Sequence, residues 1–205
     1  MGRTSNARER ILGAAQSLMA QRGYSALGTA EICKEAGVPK GSFYYFFDSK
    51  EALGLAVLDE HWEAQRADWD RVLSADAAPL ERLRSLFEET EAGQQAGQRS
   101  CGTVTGCMFG NLTLELSNQA EPIRARLQHI FEAQVDMVHE VVSEAARRGE
   151  IAVSDPREAA RAIVAQLEGQ VLFAKLYNDS EQLGVLWRNC LAILGAHAAG
   201  AGTAA

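Results

Sequence analysis

The sequence predicts an all-α fold, in which a small N-terminal head of three helices precedes a larger helical bundle, with about nine helices in all. Alternating β-branched runs, which are typical of strands, are nearly absent from the 205 residues. Apolar residues instead recur at three- and four-residue steps along the chain, as they do on one face of a helix. Turns containing glycine or proline divide this pattern into segments of helix length.

The head is predicted over residues 1–48. Its first helix spans about residues 5–21 and has one apolar face. A short second helix follows over residues 29–35, and the turn after it contains Gly37, which suits the left-handed conformation at a helix end. A short third helix spans residues 40–46. Two short helices joined by a tight glycine-containing turn are typical of a helix-turn-helix.

The second domain is predicted over residues 49–198. Asp155 is expected to cap one of its helices, since Pro156 and Glu158 follow at the spacing of a capping box. Small polar residues over 92–102 predict a loop, and residues 199–205 are predicted to be a disordered tail. The helices of this domain are expected over residues 49–73, 79–93, 105–117, 122–148, 156–177 and 181–197.

Several classes of protein are excluded by what the sequence lacks. No apolar run approaches the roughly 20 residues that cross a bilayer, and the N-terminus has no signal-peptide apolar region. The four cysteines and four histidines show no metal-ligand spacing. We therefore expect no metal, no cofactor and no membrane partner, and a cytoplasmic protein whose thiols are reduced.

Charge is unevenly distributed along the chain. Residues 1–50 contain seven Lys and Arg against four Asp and Glu, a net charge of +3. The rest contains 13 basic against 23 acidic residues, a net charge of −10, so the whole chain carries −7. A basic head on an acidic body is typical of a phosphate-binding module attached to a domain with another role.

The longest recognisable motif covers the head and the start of the following helix. It reads "ILGAAQSLMAQRGYSALGTAEICKEAGVPKGSFYYFFDSKEALGLAVL". An apolar helix, "RGY" and "EICKEAGVPKGSFYYFFDSKEAL" follow one another at matching spacing, so residues 8–58 resemble the DNA-binding domain of the TetR/AcrR family of bacterial transcriptional repressors. Phe46 departs from the family pattern, in which His or Tyr is common at this position.

This resemblance implies a DNA-binding role for the third helix. A short helix can bring its N-terminal amides and first-turn side chains into a major groove about 12 Å wide. Lysines suit phosphates, a glycine allows close backbone approach, and serine or tyrosine hydroxyls can donate hydrogen bonds. Phe43 and Phe47 are expected to face inward. The residues expected to contact DNA are Lys40, Gly41, Ser42, Tyr44, Tyr45 and Lys50.

The resemblance also implies that the C-terminal domain senses a ligand and forms a homodimer. A palindromic operator needs two recognition helices about 34–36 Å apart, as a symmetric dimer provides. The last two helices carry an apolar stripe that fits either a four-helix dimer interface or an internal core. Its members are Ala162, Ile163, Leu167, Gly169, Val171, Leu172, Leu183, Leu186, Leu191 and Leu194.

The segment "CGTVTGCMFGNLTLEL" resembles a subgroup of the family that includes electrophile-responsive repressors, some of which use a cysteine at the position of Cys107 as the sensor. Cys107 is expected in the first turn of a helix, where the helix dipole lowers the pKa of a thiol. Lys175, isolated in an apolar run, could stabilise the thiolate. Alternatively, Cys107 is a small buried hydrophobe and Lys175 extends to solvent.

A noncovalent pocket is the second possible trigger. Six side chains could line an apolar cavity or simply fill the core: Phe87, Met108, Phe109, Phe131, Phe173 and Tyr177. Either trigger would shift the fourth helix, which both domains share, and would change the separation of the two recognition helices.

The sequence therefore predicts a homodimeric DNA-binding transcriptional regulator, a repressor rather than an enzyme, which binds a palindromic operator in double-stranded DNA. A small molecule or an electrophile would switch its operator affinity. A thiol-dependent enzyme using Cys107 is one alternative, although it needs a histidine base and neither His129 nor His139 can be placed nearby. A helical protein-interaction module is the other.

Overall fold

The computed structural model describes residues 2–196, with side chains from residue 6 onward. The predicted tail at 199–205 lies outside this range. The described residues form helices joined by turns and contain no strand, so the all-α prediction is confirmed. The α-helices are α1 (Gly2–Arg22), α2 (Thr29–Glu35), α3 (Phe43–Phe46), α4 (Lys50–Leu73), α5 (Pro79–Cys101), α6 (Met108–Leu116), α7 (Glu121–Arg147), α8 (Pro156–Tyr177) and α9 (Leu186–Ile193).

Contacts group the chain into two compact units. Within the described residues, the first unit comprises residues 2–65 and 107–130, and the second comprises residues 66–106 and 131–196. The helix-turn-helix head therefore shares its unit with α6 and with the beginnings of α4 and α7. The predicted domain limits follow sequence order instead, and they remain a prediction.

The core of the first unit is built from the apolar faces of its helices. The head is also held by Arg10, whose Nη2 donates to the carbonyl of Gly37 at 2.8 Å. Gly37 has a φ of +60°, which favours glycine and lets the chain turn sharply between α2 and α3. The buried side chains include Ile11, Leu12, Ile32, Phe43, Phe47, Leu53, Val57, Phe109, Leu112, Ile123 and Leu127.

The second unit has a separate apolar core. Its α8 begins as the sequence predicts, because Asp155 accepts hydrogen bonds from the amides of Arg157 and Glu158 at 2.9 and 3.1 Å. The helix ends at Asn178, which is left-handed with a φ of 51°. The buried side chains include Leu83, Leu86, Phe87, Val135, Val138, Val142, Ile163, Leu167, Val171, Leu183, Leu186 and Leu194, so much of the predicted interface stripe packs inside the protomer.

The end of α5 differs from the prediction, because the helix continues through the expected loop at 92–102 to Cys101. Glutamine, alanine and arginine favour helix and outweigh two internal glycines. Tertiary hydrogen bonds also hold this part of the helix. Gln98 Nε2 donates to Asn178 O at 2.6 Å, and its Oε1 accepts from Ser180 Oγ at 2.7 Å. The helix stops at Gly102, which has a φ of +78°.

Two other predicted helices begin with tighter turns. The predicted third helix is a 3₁₀ turn at Lys40–Ser42 followed by the short α3. The last predicted helix likewise begins as a 3₁₀ segment at Ser180–Val185 before α9. Eclipsed side chains and poorer hydrogen bonds keep such segments short, and local periodicity does not distinguish them from α-helix.

Candidate nucleic-acid interface and sensing residues

The aromatic side chains of α3 and of the next residue, Phe47, include a buried pair and an exposed pair, and Phe46 is half-buried. Phe43 and Phe47 are 0% and 5% exposed, whereas Tyr44 and Tyr45 are 60% and 75% exposed. Burial of the phenylalanines anchors the helix, since these two rings lie 5.8 Å apart in the core of the head. The same anchoring holds two large amphipathic side chains in solvent, where they are available to a partner.

Three further predicted contacts lie on the 3₁₀ turn before α3. Lys40 and Gly41 are exposed, and Ser42 is half-buried. A Cβ atom at Gly41 would meet no atom within 4 Å, so the fold leaves open space at this position. The amide of Ser42 donates to the carbonyl of Pro39 at 2.9 Å, which closes the turn. The turn and α3 together place Lys40, Gly41, Ser42, Tyr44 and Tyr45 on one continuous seven-residue segment.

Lys50 has intramolecular partners. Its Nζ lies 3.4 Å from the carbonyl oxygen of Ser25 and 4.2 Å from the centre of the Tyr24 ring. Burial lowers the pKa of Lys50, while the negative charge of Glu115 opposes that effect. A phosphate contact by Lys50 remains a prediction, and such a contact would compete with the turn between α1 and α2 for the same ammonium group.

Glu115 in α6 is a residue that the sequence analysis missed. Its two carboxylate oxygens accept hydrogen bonds from the amides of Tyr24 and Ser25. Burial acts to raise the pKa of Glu115, but these hydrogen bonds and the charge of Lys50 outweigh it and lower the pKa. The "GNLTLE" segment that contains Glu115 is visible in the sequence, but nothing local indicates which amides it reaches.

Cys107 is the N-cap of α6. Its Sγ accepts a hydrogen bond from the amide of Gly110 at 3.5 Å, and the side chain is half-buried. The helix therefore begins at Met108, later than the predicted residue 105. A sulfur at this position faces the free amides of the first turn, which stabilise negative charge.

The aromatic residue of α6, Phe109, belongs to the core of the first unit. Phe109 is fully buried and meets the rings of His61 and Trp62, with centroids 5.1 and 6.2 Å away. Met108 is also buried. Burial lowers the pKa of His61, whose Nδ1 lies 3.1 Å from Gln16 Nε2. Only His129 and His139 were weighed as possible bases for Cys107, whereas the ring that packs against Phe109 of α6 is that of His61.

The remaining predicted sensing residues lie in the second unit. Phe87 is buried, while Phe131 and Lys175 are half-buried. Phe173 and Tyr177 are 49% and 61% exposed and stack on each other with centroids 6.1 Å apart, so in the single chain they face solvent. Cys107 belongs to the first unit and Lys175 to the second, and a pairing between them remains a prediction.

The four thiols differ in exposure and acidity. Cys33 and Cys190 are buried, and burial raises their pKa, for Cys190 to about 12. Cys101 is exposed at the end of α5, where hydrogen bonds with the backbone and the hydroxyl of Thr103 lower the pKa of its thiol. Cys101 is therefore the exposed competitor of Cys107 for any thiol reagent.

We expect N-ethylmaleimide at neutral pH to label Cys101 first and Cys107 more slowly, and to leave Cys33 and Cys190 unlabelled in the folded protein. The thiolate is the reactive species, and only an accessible thiol meets the reagent. Peptide mass spectrometry of timed samples measures the order. Unfolding in urea provides the control, because all four cysteines should then react. Early labelling of Cys190 would contradict the burial described above.

Residues 2–196 show neither a candidate metal site nor a membrane span. No three His, Cys, Asp or Glu side chains in this range are grouped so that they could hold a metal ion. No helix within the same range is both long enough and apolar enough to cross a bilayer.

Two sequence families match the chain. The family described as "Bacterial regulatory proteins, tetR family" matches residues 11–57, which contain α2, α3 and most of α1. The family described as "Tetracyclin repressor-like, C-terminal domain" matches residues 79–190, more than half of the chain. The first match extends past the predicted limit of the head at residue 48, and the domain limits remain a prediction.

Two individual regulators and one crystal structure are also similar to this chain over most of its length. Transcriptional regulator AcuR of Cereibacter sphaeroides is 34% identical over 175 residues, covering 84% of this chain and 78% of AcuR. The repressor DhaR of Mycobacterium sp. strain GP1 is 32% identical over 181 residues, covering 86% of each chain. The crystal structure of the reduced form of Escherichia coli NemR superposes with a TM-score of 0.82 at 27% identity, covering 94% of this chain and 98% of NemR. The chain thus belongs to the TetR family of bacterial helix-turn-helix transcriptional regulators.

Proposed function

We propose that this TetR-family regulator is a cytoplasmic homodimeric repressor. It binds a palindromic operator through the segment from Lys40 to Tyr45 and releases it when an effector acts at the N-terminus of α6. The observation that carries this proposal is the exposure of Tyr44 and Tyr45 beside the buried Phe43 and Phe47. Two rings held in solvent beside a lysine, an open glycine and a serine suit the phosphates and base edges of a major groove.

An exposed apolar face of α8 supports the proposed homodimer. Leu172, Phe173, Leu176 and Tyr177 are all exposed in the single chain, although they are large and apolar or aromatic. An apolar patch of this kind is commonly a protein interface. A second copy of the chain would cover it and would present a second recognition segment, as a two-fold symmetric operator requires.

The proposed trigger is modification of Cys107 by an electrophile. The Cys107 sulfur caps α6 and accepts the amide hydrogen bond of Gly110. Alkylation would add a bulky group to the sulfur at this cap. It would also weaken the hydrogen bond that the sulfur accepts from the Gly110 amide. The similarity to NemR, whose crystal structure is described as a reduced form, agrees with a thiol-based switch. A small molecule bound without a covalent bond is the other form of effector that this proposal includes.

The proposed role is regulatory and not catalytic. A thiol-dependent enzyme would need a base that activates the Cys107 thiol. His61 packs its ring against Phe109 and its Nδ1 lies beside Gln16, and burial lowers its pKa. These contacts describe a half-buried histidine that packs against the core, and none of them joins it to the Cys107 sulfur. The family similarity likewise supports a regulator.

Gel-shift binding to DNA from upstream of the chain's own gene tests the proposal. We expect the wild-type protein to bind this DNA and to lose affinity by at least about tenfold after N-ethylmaleimide treatment, within the range of ordinary allosteric coupling. Cys107→Ser should bind this DNA as tightly as the wild type does, and its affinity should stay unchanged after N-ethylmaleimide treatment. Cys101→Ser is the matched control, since it removes the exposed thiol and should still release.

Two results would contradict parts of this proposal. Release by Cys107→Ser but not by Cys101→Ser would assign the switch to the exposed thiol at the end of α5. Failure of the untreated wild-type protein to shift the upstream DNA, while it remains folded, would contradict the proposal that this DNA contains its operator.

A further inference from the structure

One carboxylate ties α6 to the DNA-binding head. Glu115 lies in the last turn of α6, and its partners are 90 and 91 residues earlier in the chain. Its Oε2 accepts from the amide of Tyr24 at 2.9 Å, and its Oε1 accepts from the amide of Ser25 at 2.6 Å. Two consecutive amides facing one carboxylate make a charge-assisted pair, which is stronger and more directional than ordinary hydrogen bonds.

The turn between α1 and α2 has a shape that admits this carboxylate. Gly23 has a φ of +78°, a conformation that favours glycine and directs the next two amides outward from the end of α1. A Cβ atom on Gly23 would stand only 3.1 Å from Glu115 Oε2. The position therefore needs glycine both for its backbone conformation and for the close approach of Glu115.

The same turn contacts the start of α4, directly after the recognition helix. The Tyr24 ring packs so closely on Gly54 that a Cβ there would lie 3.0 Å from Tyr24 Cε2. The Lys50 ammonium lies over that ring, 4.2 Å from its centre, and 3.4 Å from the carbonyl oxygen of Ser25. Glu115 is thus connected through two turn residues to the N-terminal end of α4, which follows the recognition segment in the chain.

The opposite end of α6 carries Cys107. The helix has nine residues, so about 14 Å separates its two ends. A short helix moves as one piece, and a shift at its N-cap is transmitted to Glu115 in its last turn. Phe109 also joins α6 to α4 through the rings of His61 and Trp62, but apolar contacts tolerate sliding better than directional hydrogen bonds do.

We propose that Glu115 is the positioning residue through which α6 controls the DNA-binding head, by holding the Tyr24 and Ser25 amides and, through them, the start of α4. This inference deepens the proposed function and rests on it, because it takes the N-terminus of α6 as the place where the effector acts. Displacement of α6 withdraws the Glu115 carboxylate from the turn between α1 and α2. The turn is then free to move, and Lys50 loses the fixed position of its neighbours in that turn, Tyr24 and Ser25.

Amide hydrogen exchange of the turn tests this role without DNA. The full chain carrying Cys101→Ser is treated with N-ethylmaleimide, so that the Cys107 sulfur bonds to the maleimide carbon and the thiol proton ends on the neighbouring carbon. Exchange at Tyr24 and Ser25 is then followed by mass spectrometry. We expect alkylation to accelerate exchange of these two amides by roughly 10- to 100-fold, the range for loss of a hydrogen bond to a charged group.

Two variants determine whether Glu115 carries the effect. In Glu115→Ala the two amides should exchange fast before treatment, and alkylation should change nothing further. Glu115→Gln, which keeps the shape of the side chain, should exchange at an intermediate rate, because one amide oxygen replaces two carboxylate oxygens. Glu121→Ala is the matched control: it removes an exposed carboxylate of the same unit whose partner is Arg124, and it should behave as the parent.

Three results would overturn the inference. These are unchanged exchange of Tyr24 and Ser25 in Glu115→Ala, an equal response to alkylation with and without Glu115, and no response in the parent chain. Operator release is measured separately. A chain whose turn responds to alkylation while its operator affinity stays constant would overturn the proposed switch and leave the coupling role of Glu115 intact.

Discussion

Replacing Tyr44 and Tyr45 by alanine is expected to lower operator affinity by about 10- to 100-fold for each residue without unfolding the head. A side chain in the recognition segment typically contributes about 1–3 kcal/mol to specific DNA binding, and each 1.4 kcal/mol corresponds to about a tenfold change in affinity. Both rings are mostly exposed, so the fold has little to lose by their removal. Fluorescence anisotropy with an operator duplex, at one fixed salt concentration, measures the change.

Conservative variants separate the contribution of each tyrosine ring to DNA affinity from that of its hydroxyl. Tyr44→Phe and Tyr45→Phe keep the ring and remove the hydroxyl, so they should lose affinity only where the hydroxyl donates to a phosphate or a base. Glu88→Ala, which removes an exposed side chain of α5 that has no proposed role, is the control and should bind DNA as the wild type does. If the double alanine variant has the circular dichroism and the operator affinity of the wild type, α3 does not contribute to DNA binding.

Replacing the neighbouring Phe43 by alanine is expected to lower the stability of the head, in contrast to the tyrosine variants, which should lower operator affinity without unfolding it. Phe43 is fully buried, and its ring contacts those of Tyr44 and Phe47 at 5.2 and 5.8 Å. Truncation of a buried phenylalanine typically costs about 3–5 kcal/mol in free energy of unfolding. Domains are stable by only about 5–15 kcal/mol, so the head would be substantially destabilised.

Urea denaturation followed by circular dichroism measures this loss. Tyr45→Ala provides the control on the same short helix, because an exposed substitution usually changes stability by no more than about 0.5 kcal/mol. Phe43→Leu keeps most of the apolar volume and should recover much of the stability. A Phe43→Ala protein that unfolds within about 1 kcal/mol of the wild type would show that the ring does not anchor α3.

Local pattern was sufficient to predict much of the head. The division of "SFYYFF" into buried Phe43 and exposed Tyr44 and Tyr45 follows from the direction of side chains around a helix, which is a local property. The cap at Asp155 was predictable for the same reason, since its hydrogen bonds reach residues only two and three positions away.

Predictions that depended on distant contacts were less successful. The α5 helix passes the expected stop at Gly93 because Gln94 and Gln98 have partners elsewhere in the second unit. The apolar stripe of α8 and α9 also divides in a way that spacing could not reveal. Ile163, Leu167 and Leu186 pack inside the protomer, while Leu172 remains exposed.

Residue types and their spacing by themselves determined the all-α class, the helix-turn-helix and the exposed tyrosines, because helical periodicity acts within a few residues. Only the tertiary structure decided that Glu115 holds the amides of Tyr24 and Ser25 and that Lys50 lies over Tyr24. Contacts between residues some 90 positions apart depend on the path of the whole chain, and no local pattern specifies that path.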